Sequence, residues 1–234
     1  MVRHPAARRV PRKERDSDDV FVEGVLESTA FAKQHARALI IGGVVLVVAV
    51  IALLYWRNVS QAREDRAAAE LVEIRQAIQS GNPQLAVVGA RSFLNNFDGT
   101  SAAPEVRLML TEALLKTGAA EEAIEAIQPL ARDVDDEMGV TAAFLLGAAY
   151  EAAGQGEAAA TAYLRVAEDG RFLFQRQEAM DQAARVRAEQ GDTAGAIELY
   201  ERLVEMTPEQ NQERGIYAMR LAELRATAAA GSGG

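Results

Sequence analysis

The chain has 234 residues, a formal net charge of −9 and no cysteine. That length suits one membrane anchor and one soluble domain, and the missing thiols exclude disulfides, thiolate metal sites and cysteine nucleophiles. Abundant alanine and only 6% aromatic residues favour helix over sheet.

The charge is unevenly placed. Residues 1–37 hold eight Lys/Arg against six Asp/Glu, 38–56 hold none of either, and 57–234 hold 17 against 28. Lys116 is the single lysine of that last stretch. Phosphate contacts need clustered Lys and Arg, so nucleic acid is not an expected partner.

Residues 1–19 read as a disordered basic tail, with Arg3, Arg8, Arg9, Arg12, Lys13 and Arg15. Residues 20–37 read as an amphipathic juxtamembrane segment. Phe21, Val22, Val25, Leu26 and Phe31 fall at helical spacing there, suited to an inner leaflet or a membrane partner. A plain lead-in to the anchor fits the same residues.

Residues 38–56 read as a transmembrane helix. Leu39 to Trp56 is uncharged, and at 1.5 Å per residue it spans roughly 27 Å against a hydrocarbon core of about 30 Å. Its twelve Leu, Ile and Val residues favour insertion by about 4 to 7 kcal/mol. Tyr55 and Trp56 suit the interface, and Arg37 and Arg57 bracket the run. The long, partly acidic segment before it argues for an uncleaved signal anchor. The basic tail predicts a cytoplasmic N-terminus and a translocated domain.

Residues 57–226 are expected to form one repeat domain, with 227–234 a flexible tail. Gly81, Gly118, Gly154 and Gly191 recur at spacings of 37, 36 and 37, and five residues after each stands Ala86, Ala123, Ala159 or Ala196. Each glycine sits where one helix ends and another begins, as a helix C-cap requires. Each alanine sits where two antiparallel helices approach closely. Leu146, Gly147, Tyr150, Gly154, Ala159 and Tyr163 stand in the order and spacing of the tetratricopeptide repeat, which these units resemble. Leu110, Leu114, Gly118, Ala123, Ile127 and Leu130 occupy the same places, as do Gly191, Ala196, Tyr200, Leu203 and Pro208. The first unit, with Gly81, Ala86 and Phe93, is atypical, as a terminal repeat is.

The resemblance implies an all-α solenoid of about four helix pairs plus a terminal helix. Asn82-Pro83 marks one helix start. Thr207-Pro208-Glu209-Gln210 marks another, as N-cap, proline and capping-box glutamine. The helix it opens is expected to reach about Arg225 and to bury Leu221 and Leu224.

Both histidines, His4 and His35, precede the apolar run, so the domain lacks histidine bases, Ser–His triads and ordinary zinc sites. Asp133, Asp135, Asp136 and Glu137 lack the glycine and spacing of an EF-hand and read as a solvated loop. No glycine-rich phosphate loop follows a strand. No enzyme is expected, and no catalytic, cofactor or metal-binding residue or small-molecule substrate.

A stacked-helix array presents a face lined by the first helix of each unit. Mapping the family's groove positions gives Leu108, Glu112 and Leu115, then Phe144, Ala148 and Glu151, then Glu178, Asp181 and Arg185. This mixed apolar and acidic face suits an apolar or basic peptide. The whole layout, with an anchor ending in YWRNVSQAR before alanine-rich repeats, resembles the bacterial YfgM family of ancillary translocon subunits. That resemblance implies a place beside the SecYEG channel, with exported proteins or periplasmic chaperones as partners. An envelope assembly or division scaffold, and a structural oligomerisation module, remain the alternatives.

Overall fold

The computed structural model describes residues 36–134 and 137–231. The tail and most of the juxtamembrane segment lie outside the described residues, as do Asp135 and Asp136. Contacts divide the chain into two compact units, Met1–Ser60 and Gln61–Gly234.

Helix α1, Ala36–Gln79, begins in the first unit. Among the described residues it is the one helix long and apolar enough to cross a membrane, with a mean hydropathy of 2.3 and none of its apolar window buried. Ile40, Val44, Ile51, Leu54 and Trp56 all lie exposed. A helix that is apolar all round and finds no protein to cover it is consistent with a single-pass membrane anchor.

The second unit is all-helical among its described residues. Residues 61–79 of α1 pair with α2 (Pro83–Phe97), α3 (Ala103–Lys116) with α4 (Ala120–Ile127), α5 (Glu137–Ala152) with α6 (Gly156–Asp169), and α7 (Leu173–Glu189) with α8 (Thr193–Met206). Helix α9, Gln212–Gly231, packs on α8. This is the expected solenoid of four helix pairs and a terminal helix.

One turn is used four times. Gly81, Gly118, Gly154 and Gly191 have φ of 70°, 78°, 72° and 83°, and no other described residue has positive φ. The glycine N–H bonds to the carbonyl three residues back. The next N–H bonds five back, as in Asn82 to Ala77, Ala119 to Leu114, Gln155 to Tyr150 and Asp192 to Arg187. This is the Schellman arrangement, which satisfies otherwise orphaned carbonyls and needs a left-handed residue. The residue after each glycine then accepts from the N–H of Ala86, Ala123, Ala159 or Ala196. All four alanines are fully buried.

Core packing follows the same register. Nine residues after each glycine stand Ala90, Ile127, Tyr163 and Tyr200, and seven before stand Ile74, Thr111, Gly147 and Ala184. All eight are buried. Where one member is large its counterpart is small, so volume is conserved from unit to unit. The extreme case is direct: a Cβ on Gly147 would come within 2.4 Å of the Tyr163 ring.

Two regions depart from expectation. Helix α4 stops at Ile127 because Pro129 lacks an N–H and its ring opposes the carbonyl four residues back. Twelve residues after their glycines, Phe93, Val166 and Leu203 are fully buried. Leu130, at the same register, is only half-buried, in a 3₁₀ turn over Leu130–Arg132, and Ala131 and Val134 fill in. The shortened helix leaves an open recess of about 850 Å³ lined by Gln128, Arg132, Tyr150 and Arg165.

The second departure corrects the expected cap at Thr207. Thr207 ends α8 instead. It is 1% exposed, its hydroxyl donates to the Leu203 carbonyl at 2.6 Å, and it accepts from Gln177 Nε2 at 2.8 Å. Asn211 does the capping, its Oδ1 accepting from Glu213 N–H at 3.0 Å. A buried hydroxyl bonded on both sides is worth more there than at an exposed helix start. Helix α9 runs past Arg225 to Gly231; Leu221 is buried and Leu224 partly so.

Candidate functional site

The face formed by the first helices gathers the predicted groove residues into two regions. Helices α3 and α5 touch directly, as do α5 and α7. Leu108, Leu115, Phe144 and Ala148 are half-buried. Leu108, Leu115 and Phe144 rest on the core with one side and reach solvent with the other. Glu112 is exposed and lines a pocket of about 190 Å³ with Ile78, Pro83, Ala113 and Lys116.

Toward α9 the face is ionic. Arg185 reaches from α7 to Glu151 on α5 at 2.8 Å and to Glu189 at 2.9 Å on its own helix. The Tyr163 hydroxyl donates to the same Glu151 at 2.7 Å. Arg220 of α9 reaches Asp181 at 2.5 Å and donates to the Tyr200 hydroxyl at 3.1 Å. Glu178 is exposed and accepts from Gln182 at 3.0 Å. Glu151, Asp181 and Arg185 are therefore engaged with their own neighbours.

Electrostatics agree. Burial, then the bond to Glu151, raises the Tyr163 phenol above its ordinary value. Burial lowers the Arg185 guanidinium, but the bonds to Glu151 and Glu189 outweigh it and the net direction is up. The bond to Tyr200 leads the rise at Arg220. All three shifts follow from burial and from bonds within this network.

Tyr163 joins the two regions. Its ring lies 6.0 Å from that of Phe144, while its hydroxyl holds Glu151. Its place in the repeat was legible from spacing, but its second role depends on contact across helices. Arg75, six residues before Gly81, occupies the register of Glu112, Ala148 and Arg185. It pairs with Glu105 at 2.6 Å. Extending the groove mapping to the first unit finds it. Arg220 carries no register signal, because α9 is not a repeat.

No group of three or more metal-ligating side chains occurs among the described residues. The arrangement is a half-exposed apolar region beside an ionic network, built on a helical-repeat scaffold. Residues 29–226 match the family model of the tetratricopeptide repeat-like domain. The protein belongs to that family. No curated protein matches the chain. Among solved structures, Podosopora anserina kinesin light chain nearly identical TPR-like repeats superpose with a TM-score of 0.57 at 19% identity, over 71% of this chain and 88% of that one. MamA protein superposes with a TM-score of 0.51 at 20% identity, over 70% and 86%. At such identities the likeness is one of fold. Repeats of this family serve as scaffolds for protein binding.

Proposed function

We propose that this protein is a membrane-anchored adaptor, held by residues 38–56, whose repeat domain binds an extended or helical protein segment on its first-helix face. The observation that carries the reading is the apolar stretch of Leu108, Leu115, Phe144 and Ala148, half-exposed beside the carboxylate of Glu112. Such a stretch suits a ligand with an apolar anchor and a neighbouring basic residue. Charges farther along the face are paired within the protein and serve its own cohesion. The resemblance to the YfgM family supports a place beside the Sec channel, with exported proteins or periplasmic chaperones as ligands.

A photoreactive residue at Phe144, placed in the full chain inside the cell, tests this. Adducts with channel subunits, exported proteins or chaperones support the translocon reading. Adducts with division or envelope-assembly factors replace it with the scaffold reading. Adducts only with a second copy of the chain favour a structural oligomeriser.

A further inference from the structure

The second helices of the units are not fastened to one another alike. Arg91 on α2, ten residues after its turn glycine, pairs with Glu122 on α4, four residues after the next one. One unit on, the same two places hold Gln128 and Ala158. An alanine carries no group to pair with, and both residues line the open recess of about 850 Å³. Pro129, which ends α4, follows Gln128 directly. Much of the lining is apolar: Leu146 and Ala162 are buried, and Tyr150 and Leu164 are half-buried. One strut joins its sides, where Arg165 of α6 donates to the Ala131 carbonyl. None of these residues is among the groove residues of the first-helix face.

Charges of both signs surround the recess. Arg132 stands beside Asp133 and Asp169, with which it lines an adjoining hollow of about 580 Å³. Arg165 is committed to the Ala131 carbonyl. Glu157 and Glu168 line the recess, are exposed, and form no ion pair among the described residues. Glu125 lies one turn before Gln128 on α4. Beyond Glu168 the surface continues into a hollow with Arg176, Arg202 and Glu205. Six carboxylates thus face four guanidiniums, and the balance is acidic.

We infer that the recess between the end of α4 and α6 is a second docking site, for a polypeptide segment that presents apolar side chains flanked by lysine or arginine. The volume lies in the range of about 300–1,000 Å³ usual for ligand sites. An open recess leaves a small molecule largely in water, whereas a segment laid across it covers the apolar lining. That lining takes the anchor, and the unpaired carboxylates of Glu157 and Glu168 take the flanking cations. The two stand eleven residues apart on α6. That is roughly 16 Å, the length of about five extended residues. The excess of acidic groups over 57–234, 28 against 17, draws a basic segment toward the domain. This site and the first-helix groove are independent, and neither requires the other.

The test places a photoreactive residue at Thr161, exposed beside the recess, in the full chain in detergent micelles. The probe is a labelled synthetic peptide with Leu-Phe-Leu between lysine pairs. Two controls carry Ser-Ser-Ser between lysine pairs and Leu-Phe-Leu between glutamate pairs. The expected adduct yield from the probe is at least about tenfold above that from either control. The Q128R/A158E variant builds across the recess the ion pair that Arg91 and Glu122 make one unit earlier, and it leaves the net charge unchanged. It is expected to abolish the adduct while the urea midpoint holds. E157Q/E168Q alters only exposed side chains and is expected to lower the yield severalfold, so it decides the matter if Q128R/A158E folds poorly. Equal yields from the three peptides, a preference for the glutamate-flanked one, or an undiminished adduct in E157Q/E168Q overturns the inference. A photoreactive residue at Phe144 reports the first-helix groove in the same variants, so failure of one site is told apart from failure of the other.

Discussion

Two regions of one face, generated by the same repeat positions, differ in what they leave available. Around α3 and α5 the positions hold Leu108, Leu115, Phe144 and Ala148, half-exposed and without polar partners of their own. Toward α9 they hold Glu151, Asp181 and Arg185, which are bonded to one another's units and to Arg220. Equivalent positions in a repeat thus divide between two tasks. Neighbouring units have to be fastened, and a ligand has to find groups that are still unsatisfied. Charged positions on this face mostly do the first, and on the function proposed above the apolar ones are left for the second.

The sharpest way to break this comparison is at Tyr163, which belongs to both regions. Gly147→Thr drives a side chain into the Tyr163 ring and is expected to destabilise the domain by about 1–3 kcal/mol, an overpacking cost. Replacing Tyr163 as well, as G147T/Y163I, reproduces the Thr111 and Ile127 pair of the preceding unit and is expected to recover much of that loss. Urea unfolding followed by circular dichroism measures both. No recovery in the double variant means the register rule for core volume is wrong.

A second variant separates binding from folding. Phe144→Ser is expected to lower the yield of partner adducts from a photoreactive residue at Leu115 by about tenfold. The unfolding midpoint should fall far less than in G147T, because Phe144 is only half-buried. Glu178→Gln, on an exposed carboxylate in the ionic region, should leave adduct yield unchanged. Equal losses in the two variants mean that the ionic region also contacts the ligand.

The ionic region is sharpened by a double-mutant cycle. Glu151→Gln and Arg185→Gln together are expected to show a coupling of about 0.5–1 kcal/mol, because both groups are partly exposed and solvent screens them. A coupling indistinguishable from zero means the pair does not fasten α5 to α7.

A pH dependence tests the burial of three phenols. Tyr163, Tyr200 and Tyr217 are raised above the ordinary tyrosine value, chiefly by burial, and Tyr217 reaches about 12. Above about pH 10 these phenols ionise in the unfolded chain while they stay protonated in the fold, so unfolding releases protons. Stability from this source is complete below about pH 10 and is lost as pH rises toward the folded-state values. Urea midpoints at pH 8 and pH 11 check the sign. A midpoint that holds steady, or rises, contradicts the burial of these hydroxyls.

Legibility tracked locality. The four turn glycines and their alanines could be read directly, since a left-handed C-cap and a close helix approach each constrain one residue type at one place. The apolar span was equally plain, since an uncharged run of that length has few other uses. The start of α9 was misread because Thr207-Pro208 is a good local cap signal. Gln177, 30 positions away, takes the hydroxyl into the interior, and no local pattern announces it. The shortened α4 was also missed, although Pro129 was there to mark it.

The sequence by itself therefore determined the anchor candidate, the number of repeats, their turns and the register of the face, because each depends on spacing along one or two helices. Only the tertiary structure decided which charges on that face are consumed. Arg185 and Glu151 lie 34 positions apart, and Arg220 and Asp181 lie 39 apart. Ion pairs of that kind form where helices of different units meet, and their partners are chosen by packing geometry.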